Sequence, residues 1–366
     1  MQRVEVGNGE EESWLASMPK VELHAHLNGS IRDSTLLELA KGLSEKELIV
    51  FSEVEHAILK HDRSLNEVFK LFDVIAMVTT NHEAITRITT EVIEDFAADN
   101  VVYLELRTTP KRNDLLKMSK RSYIDAVLKG IKAVSSVDVN LTSVVQEVKN
   151  DSRSRCDGRK IYVRLLLCVD RRETMDAALE TVNLALGMKH LGVVGVDLCG
   201  NPAVGNWETF LPAFKFAKKQ GLPTTLHCGE VPNHDEIKAM LDFHPNRLGH
   251  ACCFDDAEWN QLKSSKIPVE ICLTSNIRTE TISSLDMHHF VDLYHAGHPL
   301  ILCTDDSGVF STTLCKEYVA AASAFGLGKK ELFELARNGV EFIFADDEVK
   351  QDLSFIFNST SHDFDH

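Results

Sequence analysis

The stretch KVELHAH, residues 20–26, begins as a short apolar alternation and ends in two histidines separated by one residue. Extended backbone sends residues two apart to the same side, so a strand here delivers His24 and His26 toward one point. Seven apolar runs of similar length follow: VVYLEL (101–106), YVRLLLCV (162–169), VVGVDL (193–198), PTTLH (223–227), RLGH (247–250), PVEICL (268–273) and PLILCT (299–304). Most are too short for helices, several are β-branched, and they tend to be apolar on both faces, as strands buried in a parallel sheet are. RLGH carries the weakest strand signal when read alone.

Segments of helical periodicity fill the gaps. DSTLLELAK follows the first run, with Asp33 or Ser34 as its N-cap. SLNEVFKLFDVIAMV and AITRITTEVIEDFAA precede the second run. SYIDAVLKGIKAV, TMDAALETVNLALGM, WETFLPAFKFAKK, DEIKAMLDF, AEWNQLK and KEYVAAASAF come after it in turn. Eight strand–helix units predict an α/β fold, a closed (β/α)8 barrel of the TIM type, with extra helices around it. A chain of 366 residues suits one such barrel. No glycine-rich phosphate loop follows the first run, which argues against an open dinucleotide-binding sheet. Residues 1–13 read as a flexible arm, 14–358 as a single domain, 359–366 as a flexible tail, and 148–160 as an exposed loop.

Lys and Arg number 39 against 55 Asp and Glu, a formal charge of −16. This balance argues against binding a nucleic-acid polymer, which depends on neutralising phosphates. A single phosphate on a small ligand needs only a few local cations. The nine cysteines include no CxxC pair and sit mostly within apolar runs, so they read as buried small hydrophobes in a reducing compartment. No run approaches the ~18 apolar residues of a membrane span, and the start MQRVEVGNGEEESW lacks an apolar signal core. The expectation is a cytosolic protein with no membrane partner, read as a monomer.

In such a barrel the ends of the strands converge at one mouth. The residues there are His24 and His26, Arg107-Thr108-Thr109-Pro110-Lys111, Asp170, Gly200, His227 with Glu230, His250, Thr274-Ser275-Asn276, and Asp305-Asp306. An HxH pair alone is a weak signal. Joined by His227 and Asp305 it supplies three imidazoles and one carboxylate, a set that suits one zinc ion. Glu230 then stands beside the metal as an acid or base, and His250 as a second proton-handling or electrostatic group. Asp306 is free to accept a hydrogen bond from a substrate; the other reading is a cap for the following helix. His288, His289, His295 and His298 have no carboxylate at ligand spacing and read as structural. Phe69, Phe72, Phe210, Phe214 and Phe216 read as core or pocket wall.

Taken together, MPKVELHAHLNGS, LHCGE, RLGHA, EICLTSN and CTDDSGVF, in this order, resemble the adenosine and AMP deaminase family from about residue 18 to 355. The similarity is greatest to the branch that acts on N6-methyl-AMP, its plant members above all. It implies hydrolysis at carbon 6 of a purine nucleotide, giving IMP and methylamine, with one zinc ion per subunit. It implies that Glu230 protonates ring nitrogen 1 and that His250 holds the attacking oxygen. Asp306 and Gly200 would fix the purine edge, and His26, Asn28, Thr108, Thr109, Pro110, Lys111 and Asp170 would contact the nucleotide. Two features favour this branch. Asn28 stands where adenosine deaminases carry Asp, and an amide can donate to a phosphate that a carboxylate would repel. Lys111 offers a cation in LRTTPKR. One departure is Ala76, where relatives of the branch carry a ligand-contacting His. The alternatives are an adenosine deaminase, another mononuclear barrel amidohydrolase, and a binding protein that retains the site without turnover.

Overall fold

The structure is a computed structural model that describes residues 9–46, 49–60, 65–141 and 160–364. Its strands are β1 (Lys20–His26), β2 (Val101–Thr108), β3 (Asp138–Asn140), β4 (Lys160–Asp170), β5 (Val193–Cys199), β6 (Thr224–Cys228), β7 (Arg247–His250), β8 (Val269–Ile271) and β9 (Leu300–Leu302). All pair in parallel in the order β1-β2-β4-β5-β6-β7-β8-β9, and β3 pairs outside this path with β4. The eight expected strands are therefore present, helices separate them, and the fold is the (β/α)8 barrel. β3 is a ninth strand that the sequence reading did not include; its three residues are too few to show a period.

The ring closes at the functional residues. Ala25 bridges Asp305 in parallel. His26 donates its N–H to the Asp305 carbonyl at 3.0 Å, and Asp305 donates to the His24 carbonyl at 2.7 Å. The buried Glu22 carboxylate reinforces the seam, accepting from the His24 N–H at 2.7 Å and from both the N–H and the hydroxyl of Thr304 at 2.9 Å. A side chain thus replaces a ladder partner where the register of β1 shifts. These strands read as apolar because both faces are covered: every residue of β2 is buried, as is β4 after Lys160.

Two expectations are corrected, and a third falls outside the described residues. The first concerns the termini. A helix spans Gly9–Ser17, so the arm expected over residues 1–13 is helical from Gly9, while residues 1–8 lie outside the described set. The tail expected over 359–366 is structured as far as residue 364, with 365 and 366 outside the described set: the helix Asp347–Thr360 runs into a 3-10 turn, Ser361–Asp363, and Phe364 is buried. Phe364 stacks on Phe333 with ring centroids 4.8 Å apart and meets Trp14 at 6.0 Å. One aromatic in a polar tail carries no period, yet burying such a ring removes roughly 150–250 Å² from water. The second concerns the helix Asp33–Ser44, whose N-cap is Arg32 without a side-chain cap bond, rather than Asp33 or Ser34. Asp33 occupies the first turn, where a carboxylate still meets the positive end of the helix. The third concerns the loop expected over 148–160, which lies outside the described residues except for Lys160, the first residue of β4.

No described helix is long and apolar enough to cross a membrane.

Candidate active site

Beneath its mouth the barrel interior is ionic. Glu22, Glu105, Arg107, Asp197, Arg247 and Glu270 alternate with aliphatic residues along their strands and are wholly buried. Arg247 donates to Glu270 at 2.6 Å and to Glu105 at 2.5 Å. Arg107 donates to Glu270 at 2.8 Å and to Asp197 at 3.2 Å. Buried charges are costly unless paired and hydrogen-bonded, and this ladder supplies the partners. Burial alone would raise the Glu270 carboxyl; Arg107 and Arg247 outweigh it and hold the group well below the usual carboxylate range.

The ladder orients the histidines above it. Glu270 meets His24 Nδ1 at 2.7 Å, and Asp197 meets His227 Nδ1 at 3.1 Å. A carboxylate at Nδ1 accepts a hydrogen bond from the ring N–H and so leaves the Nε2 lone pair pointing the other way. The His24 and His26 Nε2 atoms accordingly lie 3.1 and 3.0 Å from His227 Nε2. Asp305 Oδ1 is 3.4 Å from the first two. Its Oδ2 accepts from the Ser275 hydroxyl at 2.7 Å, which leaves Oδ1 directed at the cluster. Lone pairs this close repel one another unless a cation lies among them. The donor set of His24, His26, His227 and Asp305 therefore fits a divalent metal, with orienting partners of the kind such sites use. Gly249 is part of this fit, since a Cβ there would stand 2.8 Å from the His24 ring.

Glu230 and His250 flank the cluster. His250 Nε2 is 3.8 Å from Glu230 Oε1 and 4.0 Å from Asp305 Oδ2, buried and without a hydrogen-bond partner. Burial is the main cause that raises the Glu230 carboxyl above its ordinary value; the Asp305 charge adds to it and His227 opposes it. The group is thereby biased toward the protonated acid. His250, Ala251 and Asp305 have φ of 66°, 57° and 63°, a backbone region that costs residues other than glycine about 1–3 kcal/mol and that clusters at functional sites. Asp306 sits beside the cluster with Oδ1 buried and unpartnered. Its place depends on Gly29, where a Cβ would fall 1.7 Å from that oxygen. Burial, then Asp305 and Glu230, push the Asp306 carboxyl well above the usual range. No side-chain cap from Asp306 is seen; Thr313 caps the next helix, Leu314–Phe325.

All the expected substrate contacts converge. His26, Asn28, Thr108, Thr109, Pro110, Lys111, Asp170, Gly200 and Asp306 line one cavity of about 790 Å³, together with Glu230, His227 and Asp305. That size lies within the roughly 300–1,000 Å³ of small-molecule sites. His24 and His250 are buried at its edge. Asn28 accepts from the Tyr123 hydroxyl at 3.3 Å, and Tyr123 also bonds Thr108 at 2.8 Å. Phe69, Phe72 and Ala76, all on the helix Leu65–Val78, form part of the wall, whereas Phe210 and Phe214 are core and Phe216 packs on it. Asp170 reaches the cavity with both oxygens engaged by Arg172, at 2.9 Å from Nε and 2.6 Å from Nη2. Arg172 also lines the cavity and was missed by the sequence reading, although it lies two residues after β4, in VDRRE (169–173).

Asp197, Glu270 and Gly29 were missed as functional positions too, and Arg107, named at the mouth, was given no role. Their signal was a charge or a glycine placed inside or beside an apolar strand, as in VDL, VEI and LELR. The structural reading of two histidines holds: His289 and His298 are buried and bond the carbonyls of His250 at 2.7 Å and Ile267 at 2.8 Å, whereas His295 is exposed. His288 differs, for it joins the chain of groups behind His250.

The family model for adenosine deaminase matches residues 19–356. An N6-mAMP deaminase of Arabidopsis thaliana is 63% identical over 349 residues, 95% of this chain and 98% of the relative. An N6-methyl-AMP deaminase of Homo sapiens is 37% identical, over 93% of this chain and 92% of the relative. The crystal structure of Arabidopsis ADAL complexed with IMP superposes with a TM-score of 0.91 at 61% identity, over 96% of this chain and 99% of that one. With the ligand set, the acid and the barrel all in place, the chain belongs to the adenosine deaminase family.

Proposed function

We propose that the chain hydrolyses N6-methyl-AMP to IMP and methylamine. The observation that carries this reading is one cavity lined by Glu230 at its deep end, with His250 3.8 Å from that carboxylate, and by Lys111 and Arg172 at its outer end. The deep end suits deamination and the outer end suits a phosphate. The strong similarity to a plant deaminase of that name supports the same choice.

The proposed cofactor is a single zinc ion held by His24, His26, His227 and Asp305. When bound, zinc acts as a Lewis acid that brings the pKa of a water down toward ~7. The remaining work belongs to side chains. Glu230, biased toward its acid form, donates a proton to ring nitrogen 1, which makes carbon 6 electrophilic. His250 donates from Nε2 to the attacking water oxygen. That oxygen adds at carbon 6; one of the water's two protons restores Glu230 and the other passes to the methylamino nitrogen, whose bond to carbon 6 then breaks, so that methylamine leaves and the oxygen stays on carbon 6. Asp306 and Gly200 hold the purine edge. Asn28, Thr108, Thr109, Pro110 and Lys111 hold the ribose and phosphate, and Asp170 keeps Arg172 beside them.

The test is turnover of the zinc-loaded protein on N6-methyl-AMP, AMP and adenosine in parallel, with products identified. IMP and methylamine from N6-methyl-AMP, well ahead of inosine from adenosine, is the expected result. Preference for adenosine would keep the chemistry and reject the nucleotide reading.

A further inference from the structure

Behind His250, away from the cavity, lies a line of buried polar groups that the proposed reaction does not use directly. Asn276, on the helix Leu273–Arg278, places its amide nitrogen 3.1 Å from His250 Nδ1. Its amide oxygen is 3.2 Å from His288 Nε2. His288 Nδ1 in turn receives the backbone N–H of Phe290 at 3.1 Å. All three side chains are at most 2% exposed, so water does not complete these contacts.

The direction of the whole line follows from its last member. A backbone N–H can only donate, so His288 Nδ1 must be an acceptor without a proton. Burial pushes the His288 pKa down to about 2, so its ring is neutral and the single proton sits on Nε2. A protonated Nε2 requires an acceptor, which makes the facing Asn276 atom the oxygen. The amide NH2 then points at His250 Nδ1, which must accept. The proton of a neutral His250 is thereby placed on Nε2, the atom that faces Glu230 and Asp305 without a partner of its own. The amide orientation thus follows from a donor that cannot be reversed.

We infer that Asn276 and His288 are positioning residues that lock His250 in its Nε2–H tautomer, so that His250 meets the attacking oxygen as a hydrogen-bond donor. The kinetic consequence rests on the deaminase reading; the tautomer itself does not. His289 supports the same geometry, bonding the His250 carbonyl at 2.7 Å where the backbone holds φ at 66°. Without the line, an Asn276 amide could turn over and offer its oxygen to His250. The proton would then move to Nδ1, and a lone pair would face the oxygen instead of an N–H.

The experiment has two arms. In the first, the wild-type protein with its metal content measured is labelled with 15N-histidine and studied by NMR. The His250 resonances are assigned as those lost in His250→Ala. Protonated Nε2 with unprotonated Nδ1 is expected, and protonated Nδ1 overturns the proposal. In the second, Asn276→Asp replaces the donor by an isosteric acceptor. A fall in kcat of about 10²-fold is expected, as for a lost donor to a developing oxyanion, with KM and metal content little changed; wild-type kcat would overturn the inference. His288→Phe should cost about 10-fold, the lower end of what outer partners of metal-site histidines contribute. His288→Gln, which can still donate to the amide oxygen, should recover most of the loss. If Asn276→Asp does not fold, the wild-type NMR still decides. A wild-type protein that turned over none of the purines would remove the deaminase reading and leave the tautomer measurement intact.

Discussion

At the deep end of the cavity, the contacts that orient His24 and His227 are made by buried side chains on strands. His24 and His227 are held by Glu270 and Asp197, and these by Arg107 and Arg247. At the outer end, Arg172 is 65% exposed, and its partner Asp73, at 3.7 Å, is 71% exposed. The deep end rests on the barrel ladder, the outer end on a loop and the helix Leu65–Val78. Charges in the interior act at low effective dielectric, whereas exposed pairs are screened and worth about 0–1 kcal/mol. The difference divides the labour. Changes in depth should strike metal retention and kcat, and changes outside should strike KM and the choice between nucleotide and nucleoside.

The most severe test of this division is His26→Ala. Loss of one of four donors should abolish metal retention and turnover together, read by elemental analysis and product formation. Full occupancy with activity would break the assignment of the deep end. Next comes Glu230→Gln, which keeps shape but removes the acid. A fall in kcat of about 10²–10⁴ is expected with metal content unchanged; near-normal turnover would sink the role given to Glu230. Glu270→Gln probes the ladder one step away from the metal. Weakening an outer partner of a metal-bound histidine typically costs about 10–100-fold in affinity or activity. A competition titration with a chelator should find that loss here, accompanied by lower stability because Arg107 and Arg247 lose a shared counter-charge.

The smallest effect is expected at the outer end. Lys111→Met should raise KM for the nucleotide by about 10-fold, in keeping with the ~1.5–3 kcal/mol of a hydrogen bond to a charged group, while kcat changes little. Burial, then Arg172, hold the Lys111 pKa down to about 8, with Asp170 partly offsetting them. A lysine is cationic below its pKa, so the free protein loses this charge as pH rises through about 8. KM for the nucleotide should therefore climb between roughly pH 7 and 9, while KM for adenosine stays flat. Equal slopes for the two substrates would show that Lys111 does not read the phosphate.

The legible parts of the molecule were those with a local period or a distinctive residue type. The eight barrel strands followed from short apolar runs, and RLGH, the weakest of them, is β7 without adjustment. The four candidate metal donors, Glu230 and His250 were named from their places at strand ends, and the structure brings them together. The ladder was visible only as charges embedded in apolar runs, because what a buried Glu270 contacts is not a local property. Its partners His24 and Arg107 lie 246 and 163 residues away. The same limit hid the buried Phe364, whose neighbours Trp14 and Phe333 belong to other parts of the chain.

The sequence by itself determined the barrel, its mouth and the ligand types gathered there, since periodicity and strand-end position are written along the backbone. Only the tertiary structure decided which carboxylate serves which histidine, that Glu22 stitches the seam between β1 and the segment after β9, and that His288 speaks to His250 through Asn276. Hydrogen bonds reach about 3 Å and are directional, so they are set by how the closed barrel brings distant residues together and leave no period in the chain to be read.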